Sequence, residues 1–479
     1  MADGDCYTRL HRVSLIVAGK GWIWGFHDFE NYPFGIVPHT TFPLDGLLAA
    51  LTLLLKPFLE SPLDWAGLLI SPLLFLLIIG TIHYFSQKES ETKEGEKIGG
   101  SIYSPFVLIV GWALLPGLIW GTPFARPDHQ SLVVVLIFLA LWGEERRWRV
   151  GGGRWEVAMG SLWGMSLWVS LYEPFIVLGI LGVMNLIIRH REQKRFWGVI
   201  AVLFLLTQGI EGFRFLDLHA MRERNLSTWF QTIGETRGMG VEDFFLIFTV
   251  TTLFIPFFIF RFRSKVKISP TILVMIGITL VLVGLTLFQR RWLYFSIIPP
   301  LLLFAVIWSW LSQTWKWAMG IIFLMNIVIS TSHLKSDPTQ EPPIAVEAKL
   351  LAKSIQGTGG ILAPWWISPS LLYFSGEPIV ASTSHQSIAG IVASSQFYRG
   401  SHWLEAERIL RERKVRWVVA YDEDRVLQNA SETLGLAIPA DPRASWAGGL
   451  WRVERIPTAL KLRAATTHLR LYEFTHTEN

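Results

Sequence analysis

Three polar stretches carry carboxylates that could do chemistry in a chain otherwise rich in long apolar runs. Asp5 lies in DGDCYTR near the start, and Glu235 lies in TIGETRG between two apolar runs. Asp128 opens the triplet that continues with His129 and Gln130. Oxygen-bearing side chains are what hard divalent cations bind. Each stretch also has an ordinary structural explanation, because an Asp ahead of an apolar run is a good helix N-cap and a loop Glu is solvated.

Two further stretches could bind a substrate. QRRWLYF places Arg290, Arg291 and Tyr294 at the start of an apolar run, and arginine can bind phosphate through two parallel hydrogen bonds. APWWISPSLLYFSG contains the pair Trp365 and Trp366. An arginine at a helix end can instead snorkel to lipid headgroups, and neighbouring tryptophans are usually packing residues or interfacial anchors.

The composition is that of a membrane protein. Of the 479 residues 51% are hydrophobic and 17% charged, and the mean hydropathy is +0.38. Runs such as LLISPLLFLLIIGTIHYF and PTILVMIGITLVLVGLTLF are long enough to cross a bilayer. The net charge of +5 indicates a bias of the loops rather than a nucleic-acid footprint. A single cysteine, Cys6, excludes an internal disulfide.

The apolar periodicity predicts about ten spanning helices. We expect them near 65–86, 102–120, 131–145, 155–170, 172–189, 195–212, 243–261, 270–288, 292–311 and 315–333. The run at 43–59 is either an eleventh span or a helix lying in the interface, because it is short and carries Asp45.

Basic residues predict the orientation. If the ten helices alternate, the four loops with Lys or Arg fall on one side, which the positive-inside rule makes cytoplasmic: 87–101, 144–154, 189–195 and 261–267. The other side then receives the first outer loop 1–64, the loop 121–130, the long outer loop 213–242 and everything after 334. Every candidate carboxylate is therefore expected on one face, outside the cytoplasm.

The last part of the chain changes character. GGILAPWW and EPIVAS are typical of short strands, HWLEAERILRERK of an amphipathic helix, and VRWVVAYDED of another strand. We therefore expect two domains: a transmembrane domain at 1–333 and an outer α/β domain at 334–479.

The order of these motifs resembles that of a known family. Asp–x–Tyr comes first, followed by NYPFG, PDHQ, TIGE, RRWLYF and WW. In this the chain is similar to the catalytic subunit of oligosaccharyltransferase and its bacterial and archaeal single-subunit relatives, which transfer lipid-linked sugars and have the GT-C fold. TIGE fits the family's T-I-x-E loop motif, and the resemblance covers nearly the whole chain.

The resemblance implies a set of site residues. Asp5, Asp128 and Glu235 would be catalytic and would ligate a divalent cation, Mn²⁺ or Mg²⁺, together with Gln130 and, if the backbone turns it inward, His129. The cation would balance the charge of a departing polyprenyl phosphate or pyrophosphate.

The remaining site residues would contact substrates. Arg291 would hold the donor phosphate and Tyr294 would line the same helix, while Trp365 and Trp366 would lie on the acceptor side. The implied partners are a lipid-linked sugar donor, a protein or glycan acceptor and membrane lipid, with no nucleic acid. The implied location is the plasma (inner) membrane, with the active site on the extracytoplasmic face.

Three departures from the family pattern change the expectations. The family begins with a transmembrane helix ahead of Asp–x–Tyr, whereas here Asp5 follows Met1 almost directly. Gln130 stands where the family has Asp or His. Ile367 follows the two tryptophans where the family has the Asp that reads an Asn-x-Ser/Thr acceptor. We therefore expect a familiar donor site and a different acceptor site.

Three functions follow as hypotheses. The leading one is a membrane glycosyltransferase that moves a sugar or oligosaccharide from a polyprenyl carrier to an acceptor, without sequon specificity. The second is a monosaccharide transferase of the same fold that uses a polyprenyl-phosphate sugar to build glycans or modify envelope lipids. The third belongs to another class, an inactive scaffold or transporter; Glu173, at a break between two apolar runs, is a rare ionisable residue near a span.

Overall fold

The fold was obtained as a computed structural model. It describes residues 4–91, 103–115, 118, 125–150, 152–188, 194–214, 223–240, 270–332 and 344–475. The expected span at 243–261 and the expected domain boundary near 334 lie outside the described residues.

The first part of the chain is helical, as the apolar runs predict. Its described helices are α1 (Gly4–Val17), α2 (Phe42–Leu55), α3 (Pro62–Glu91), α4 (Pro105–Leu114), α5 (His129–Val150), α6 (Gly153–Val169), α7 (Tyr172–Ile187), α8 (Lys194–Ile210), α9 (Leu226–Thr232), α10 (Pro270–Phe288), α11 (Leu293–Ser296), α12 (Ile298–Trp310) and α13 (Gln313–Ser332). Within the described ranges, three segments are long and apolar enough to cross a membrane: Pro62–Gln87, Pro270–Phe288 and Arg290–Trp308. The predicted spans at 65–86, 270–288 and 292–311 are confirmed within a few residues.

Small residues let two of these helices approach closely. A Cβ on Gly160 of α6 would lie 2.9 Å from the carbonyl oxygen of Phe196 in α8, and one on Gly164 would lie 2.8 Å from Cβ of Leu203. Close packing of helix backbones over small residues is the usual basis of helix association in membranes. The surrounding core consists mainly of Leu, Ile, Val, Phe and Trp side chains from helices between α1 and α13.

The N-terminal segment folds as α1 instead of remaining a disordered charged start. Arg9 Nη1 lies 2.7 Å from Asp45 Oδ1, and Arg12 Nη2 donates to the same oxygen at 2.8 Å. All three side chains are buried, so the charges of α1 are balanced by the carboxylate of α2. Asp45, which made the run at 43–59 ambiguous, is thus a structural partner of α1.

The C-terminal part is the expected α/β domain. Its strands β1 (Gly360–Leu362), β2 (Val415–Ala420), β3 (Leu460–Ala465) and β4 (Arg470–Phe474) form one sheet in the order β1-β2-β4-β3. The pair β1–β2 is parallel and the other two pairs are antiparallel. Its helices are α14 (Ile344–Ala352), α15 (Ser368–Ser375), α16 (Ile388–Arg399), α17 (Trp403–Glu412), α18 (Glu423–Leu434) and α19 (Trp446–Arg452).

The two parts of the chain share packing. Tyr7 of α1 lies with its ring 5.8 Å from Tyr373 and 5.5 Å from Phe374 of α15. Phe29, which belongs to the first outer segment, is buried in the core of the α/β domain. Because α1 packs on α15 in this way, Asp5 is held between the helical part and the α/β domain.

Candidate functional site

One large cavity brings most of the predicted site residues together. Its volume is about 1080 Å³, and it lies between the helical part and the α/β domain. The predicted residues that line it are Asp5, Asp128, His129, Gln130, Glu235 and Arg291. These side chains come from distant parts of the sequence, from Asp5 near its start to Arg291. Only the fold places them around one space.

Asp128 is fixed at the start of α5. Its side chain is buried, and Nδ1 of His129 lies 2.6 Å from its Oδ1. Burial alone would raise the pKa of the Asp128 carboxyl, but His129 and then Arg126 lower it, and the net pKa lies well below the ordinary value. Asp128 is therefore a carboxylate at every physiological pH.

The loop with Glu235 is held by its own backbone contacts. After α9 the chain makes a short turn at Gly234–Thr236, and the Thr236 hydroxyl donates to the Ile233 carbonyl at 2.9 Å. The Arg290 N–H donates to the Arg237 carbonyl at 2.8 Å, which ties this loop to the start of the span that carries Arg291. Glu235 thus lies close to Arg126 and near the start of the span that carries Arg291.

Arg126 was not expected in the site, yet it contacts three of its members. Its Nη2 lies 2.7 Å from Glu235 Oε1 and 3.7 Å from Asp128 Oδ2. Its Nη1 donates to the Tyr294 hydroxyl at 3.3 Å, and that hydroxyl lies 3.4 Å from Glu235. Gln130 Nε2 donates to Glu235 Oε2 at 3.4 Å. The only signal for Arg126 in the sequence was its position two residues before Asp128.

Arg291 has a buried partner. Its guanidinium pairs with Glu173, whose side chain is 1% exposed, and lies 5.3 Å from the ring centre of Tyr172. The Ser170 hydroxyl donates to the other oxygen of Glu173 at 2.5 Å. The structural explanation of Glu173 as a mere helix boundary is therefore incomplete, because Glu173 orients the arginine of the cavity wall.

Two histidines that the sequence did not single out also line the cavity. The ring centres of His39 and His385 lie 4.5 Å apart. The backbone N–H of His39 donates to Gln386 Oε1 at 2.8 Å. Burial, followed by the charge of Arg291, lowers the pKa of His385 to about 4. His385 is therefore a neutral hydrogen-bonding group beside Arg291 at neutral pH.

The tryptophan pair lies next to the cavity and packs there. Trp365 Nε1 donates to Asn429 Oδ1 at 2.9 Å, and its ring meets Trp229 of α9 edge-on at 5.7 Å. The guanidinium of Arg425 lies 5.4 Å from the ring centre of Trp366. Ile367 is only 1% exposed and belongs to the core of the α/β domain. Neither tryptophan is among the cavity-lining residues, and a role in acceptor binding stays a prediction.

The oxygen ligands for a divalent cation are present but not assembled. Among the residues that the structure describes, no group of three or more His, Cys, Asp or Glu side chains could hold a metal ion. Gln130 Oε1 is buried without a hydrogen-bond partner, which leaves one acceptor beside Asp128 unused. Glu235 is engaged by Arg126 instead. The donor set fits a hard cation in chemistry, and its assembly requires Glu235 to change partner.

Sequence comparisons identify no relative, since no protein-family model and no curated protein sequence matches. Solved structures do match. Oligosaccharyltransferase AglB from Archaeoglobus fulgidus, in complex with an inhibitory peptide and a dolichol-phosphate, is 11% identical with a TM-score of 0.69, over 96% of this chain and 75% of that one. The Archaeoglobus fulgidus oligosaccharyltransferase in complex with Zn and sulfate is 13% identical with a TM-score of 0.64, over 91% and 66%.

A second kind of structure matches over its own full length. ArnT from Cupriavidus metallidurans, bound to undecaprenyl phosphate, is 12% identical with a TM-score of 0.57, over 100% of this chain and 94% of that one. At such identities the likeness concerns the fold. The chain is accordingly a polytopic helical membrane protein with a C-terminal α/β domain, built on the GT-C fold that AglB and ArnT share.

Proposed function

We propose that the protein is a membrane glycosyltransferase that moves a sugar or oligosaccharide from a polyprenyl-(pyro)phosphate donor to an acceptor. The observation that carries this proposal is the convergence of Asp5, Asp128, Glu235 and Arg291 around one cavity of about 1080 Å³. Carboxylates and an arginine meet there on a fold whose solved examples include an oligosaccharyltransferase with dolichol-phosphate and ArnT with undecaprenyl phosphate.

Arg291 is the group proposed to hold the donor phosphate. Its side chain is 26% exposed toward the cavity while Glu173, behind it, is buried, so the guanidinium is oriented but still accessible. The neutral ring of His385 lies on the same wall and can donate or accept one further hydrogen bond. Tyr294 would act indirectly, through the hydrogen bond that its hydroxyl accepts from Arg126.

Asp5, Asp128 and Gln130 would hold the divalent cation, Mn²⁺ or Mg²⁺. Glu235 would complete the set of ligands after it leaves Arg126. His129 would remain paired with Asp128. The cation supplies positive charge beside the leaving phosphate. In the transfer, the bond between the anomeric carbon and the phosphate oxygen would break, and the polyprenyl (pyro)phosphate would leave with the electron pair. A bond from an acceptor heteroatom would form on the opposite face, with inversion, and the proton of that heteroatom would pass to a cavity carboxylate or to water.

The acceptor is proposed not to be chosen by a sequon. Ile367 occupies the place after Trp365 and Trp366 and is buried, so no carboxylate is offered there to an Asn-x-Ser/Thr hydroxyl. A protein or glycan acceptor would reach the cavity past the two tryptophans. From the basic loops of the sequence we propose that the cavity lies on the extracytoplasmic face of the plasma membrane. We also propose that the chain divides at 333/334 into a transmembrane and an outer domain.

A second candidate is a transferase of single sugars from a polyprenyl phosphate to an envelope lipid or glycan. One observation favours it: the chain spans 94% of the ArnT chain but only 75% of AglB. The two candidates differ in the donor, since the first can use an oligosaccharide on pyrophosphate. An inactive scaffold remains the alternative of another class.

A transfer assay tests the proposal. Membranes containing the protein are given radiolabelled polyprenyl-phosphate or polyprenyl-pyrophosphate sugars, with Mn²⁺ or with EDTA. The proposal predicts that label moves from the donor lipid to an acceptor with Mn²⁺ and that EDTA lowers the rate at least about tenfold. Transfer from the monophosphate donor alone would select the second candidate. Label that stays on both the monophosphate and the pyrophosphate donor under every condition would support the inactive scaffold.

A further inference from the structure

Arg126 occupies the space between the two carboxylates that the proposed cation would bridge. Its Nη2 lies 2.7 Å from Glu235 Oε1 and 3.7 Å from Asp128 Oδ2. The Arg126 side chain is 14% exposed and that of Asp128 is 4% exposed, so solvent and salt weaken their interaction little, whereas Glu235, at 37% exposed, keeps contact with solvent. A fixed positive charge thus already sits at the centre of the candidate site.

Both oxygens of Glu235 are in use. Oε1 is bound by Arg126 and lies 3.4 Å from the Tyr294 hydroxyl, while Oε2 accepts from Gln130 Nε2 at 3.4 Å. A metal ion that binds Glu235 must therefore compete with the guanidinium for the charge of this carboxylate. The amide oxygen of Gln130, by contrast, is buried and has no hydrogen-bond partner.

The charges disfavour an arrangement in which the guanidinium and a divalent cation bind Glu235 together. A guanidinium and a divalent cation a few ångströms apart repel each other, and the repulsion is strong where water is largely excluded. Either the guanidinium neutralises Glu235 and Asp128, or the cation does. The arrangement in the structure is the first, in keeping with the lack of a three-ligand group among the described His, Cys, Asp and Glu residues.

We propose that Arg126 is a resident cation that competes with the divalent cation for Glu235, and so sets how tightly the protein binds metal. This inference rests on the proposed function, because it takes Asp128 and Glu235 as the metal ligands. When metal binds, Glu235 would move from Arg126 to the ion, and the amide oxygen of Gln130 would become a ligand. Arg126 is a positioning residue: it holds the carboxylate of the TIGETRG loop in place while no metal is bound.

Metal binding by the full-length protein, purified in detergent micelles without lipid donor or sugar, tests this directly. The free Mn²⁺ signal is followed by electron paramagnetic resonance during titration of wild type and Arg126→Gln. Because the substitution removes the competing charge, the Kd for Mn²⁺ should fall at least about tenfold. Arg237→Gln is the matched control: it removes a charge from the same cavity wall, where Arg237 pairs with Glu432 at 3.6 Å, and should change the Kd less than about twofold.

A double-mutant cycle shows whether the effect passes through Glu235. In the Glu235→Gln background the tightening caused by Arg126→Gln should shrink to less than about threefold, since there is no carboxylate left to release. A tightening of equal size in both backgrounds would overturn the competition. So would a Kd in Arg126→Gln that is no lower than in wild type.

Two further outcomes are separable. If Arg126→Gln does not give folded protein, Arg126→Met serves instead: it also removes the charge and keeps a long, adaptable side chain, and a Kd no lower than wild type would again count against the competition. If no variant binds Mn²⁺, the metal part of the proposed function fails together with this inference. Equal binding in all variants alongside Mn²⁺-dependent sugar transfer removes this inference alone.

Discussion

The guanidinium of Arg291 is paired with the buried carboxylate of Glu173 at the wall of the cavity. Ser170 donates to the second oxygen of Glu173, so the carboxylate is fixed from both sides. This relationship turns an arginine at the start of a membrane span into an oriented group. The same arginine without Glu173 would be free to reach toward lipid headgroups, as sequence alone allowed.

Replacement of Glu173 by Gln is expected to weaken donor binding. The neutral amide cannot balance the charge of Arg291, so the guanidinium loses its fixed direction, and the KM for the lipid donor should rise about fivefold with kcat changed less than about twofold. Steady-state transfer over a range of donor concentrations measures this split. Glu60→Gln, at an exposed position, should leave both constants as in wild type. An unchanged KM in Glu173→Gln would contradict the positioning role.

The stability of the protein is expected to fall in mild acid, partly because of His385. Burial, followed by the charge of Arg291, lowers its pKa from 6.5 to about 4. The unfolded chain therefore binds the proton first, and stability is lost as the pH falls from about 6.5 toward about 4. Melting temperatures in detergent between pH 7.5 and 5 should show a shallower decline for His385→Gln than for wild type.

The control for that experiment is a histidine outside the cavity. His402 is exposed ahead of α17, and His402→Gln should leave the decline of melting temperature unchanged. Parallel curves for His385→Gln and wild type would show that protonation of His385 does not oppose folding.

Ile367→Asp should destabilise the α/β domain and should not create sequon recognition. The side chain is 1% exposed in the domain core, so a carboxylate there would be buried without a partner, at a cost of about 3 kcal/mol or more. Thermal unfolding of the purified protein measures this. Ile438→Asp, at a side chain that is 56% exposed, is the matched control and should unfold as wild type does. Equal melting of Ile367→Asp and wild type would show that position 367 is open to solvent.

Much of the fold could be predicted because it follows from periodicity and composition. The apolar runs gave the spans at 65–86, 270–288 and 292–311, and the alternating pattern after 334 gave an α/β domain. The folding of 4–17 into a buried helix was harder to foresee. Its arginines are stabilised by Asp45, a contact across some 30 residues that no local pattern reveals.

The candidate site divides in the same way. Asp128, Glu235 and Arg291 carried motif signals, and the structure places all three on one cavity. His385 carried none and Arg126 had only its position two residues before Asp128, since a loop arginine and a histidine of the C-terminal domain gain meaning only through their partners. For Arg126 and for His385 the sequence lacked the same information, namely which charged groups the fold places next to them.

Sugar transfer at the cavity is examined most sharply with Asp128→Asn. The substitution keeps the shape of the side chain but removes the charge that a cation at Asp128 requires. In the radiolabelled lipid-donor assay we expect a rate at least about a hundredfold below wild type, while Asp28→Asn, at an exposed residue, should keep the wild-type rate. Transfer by folded Asp128→Asn at the wild-type rate would contradict the account.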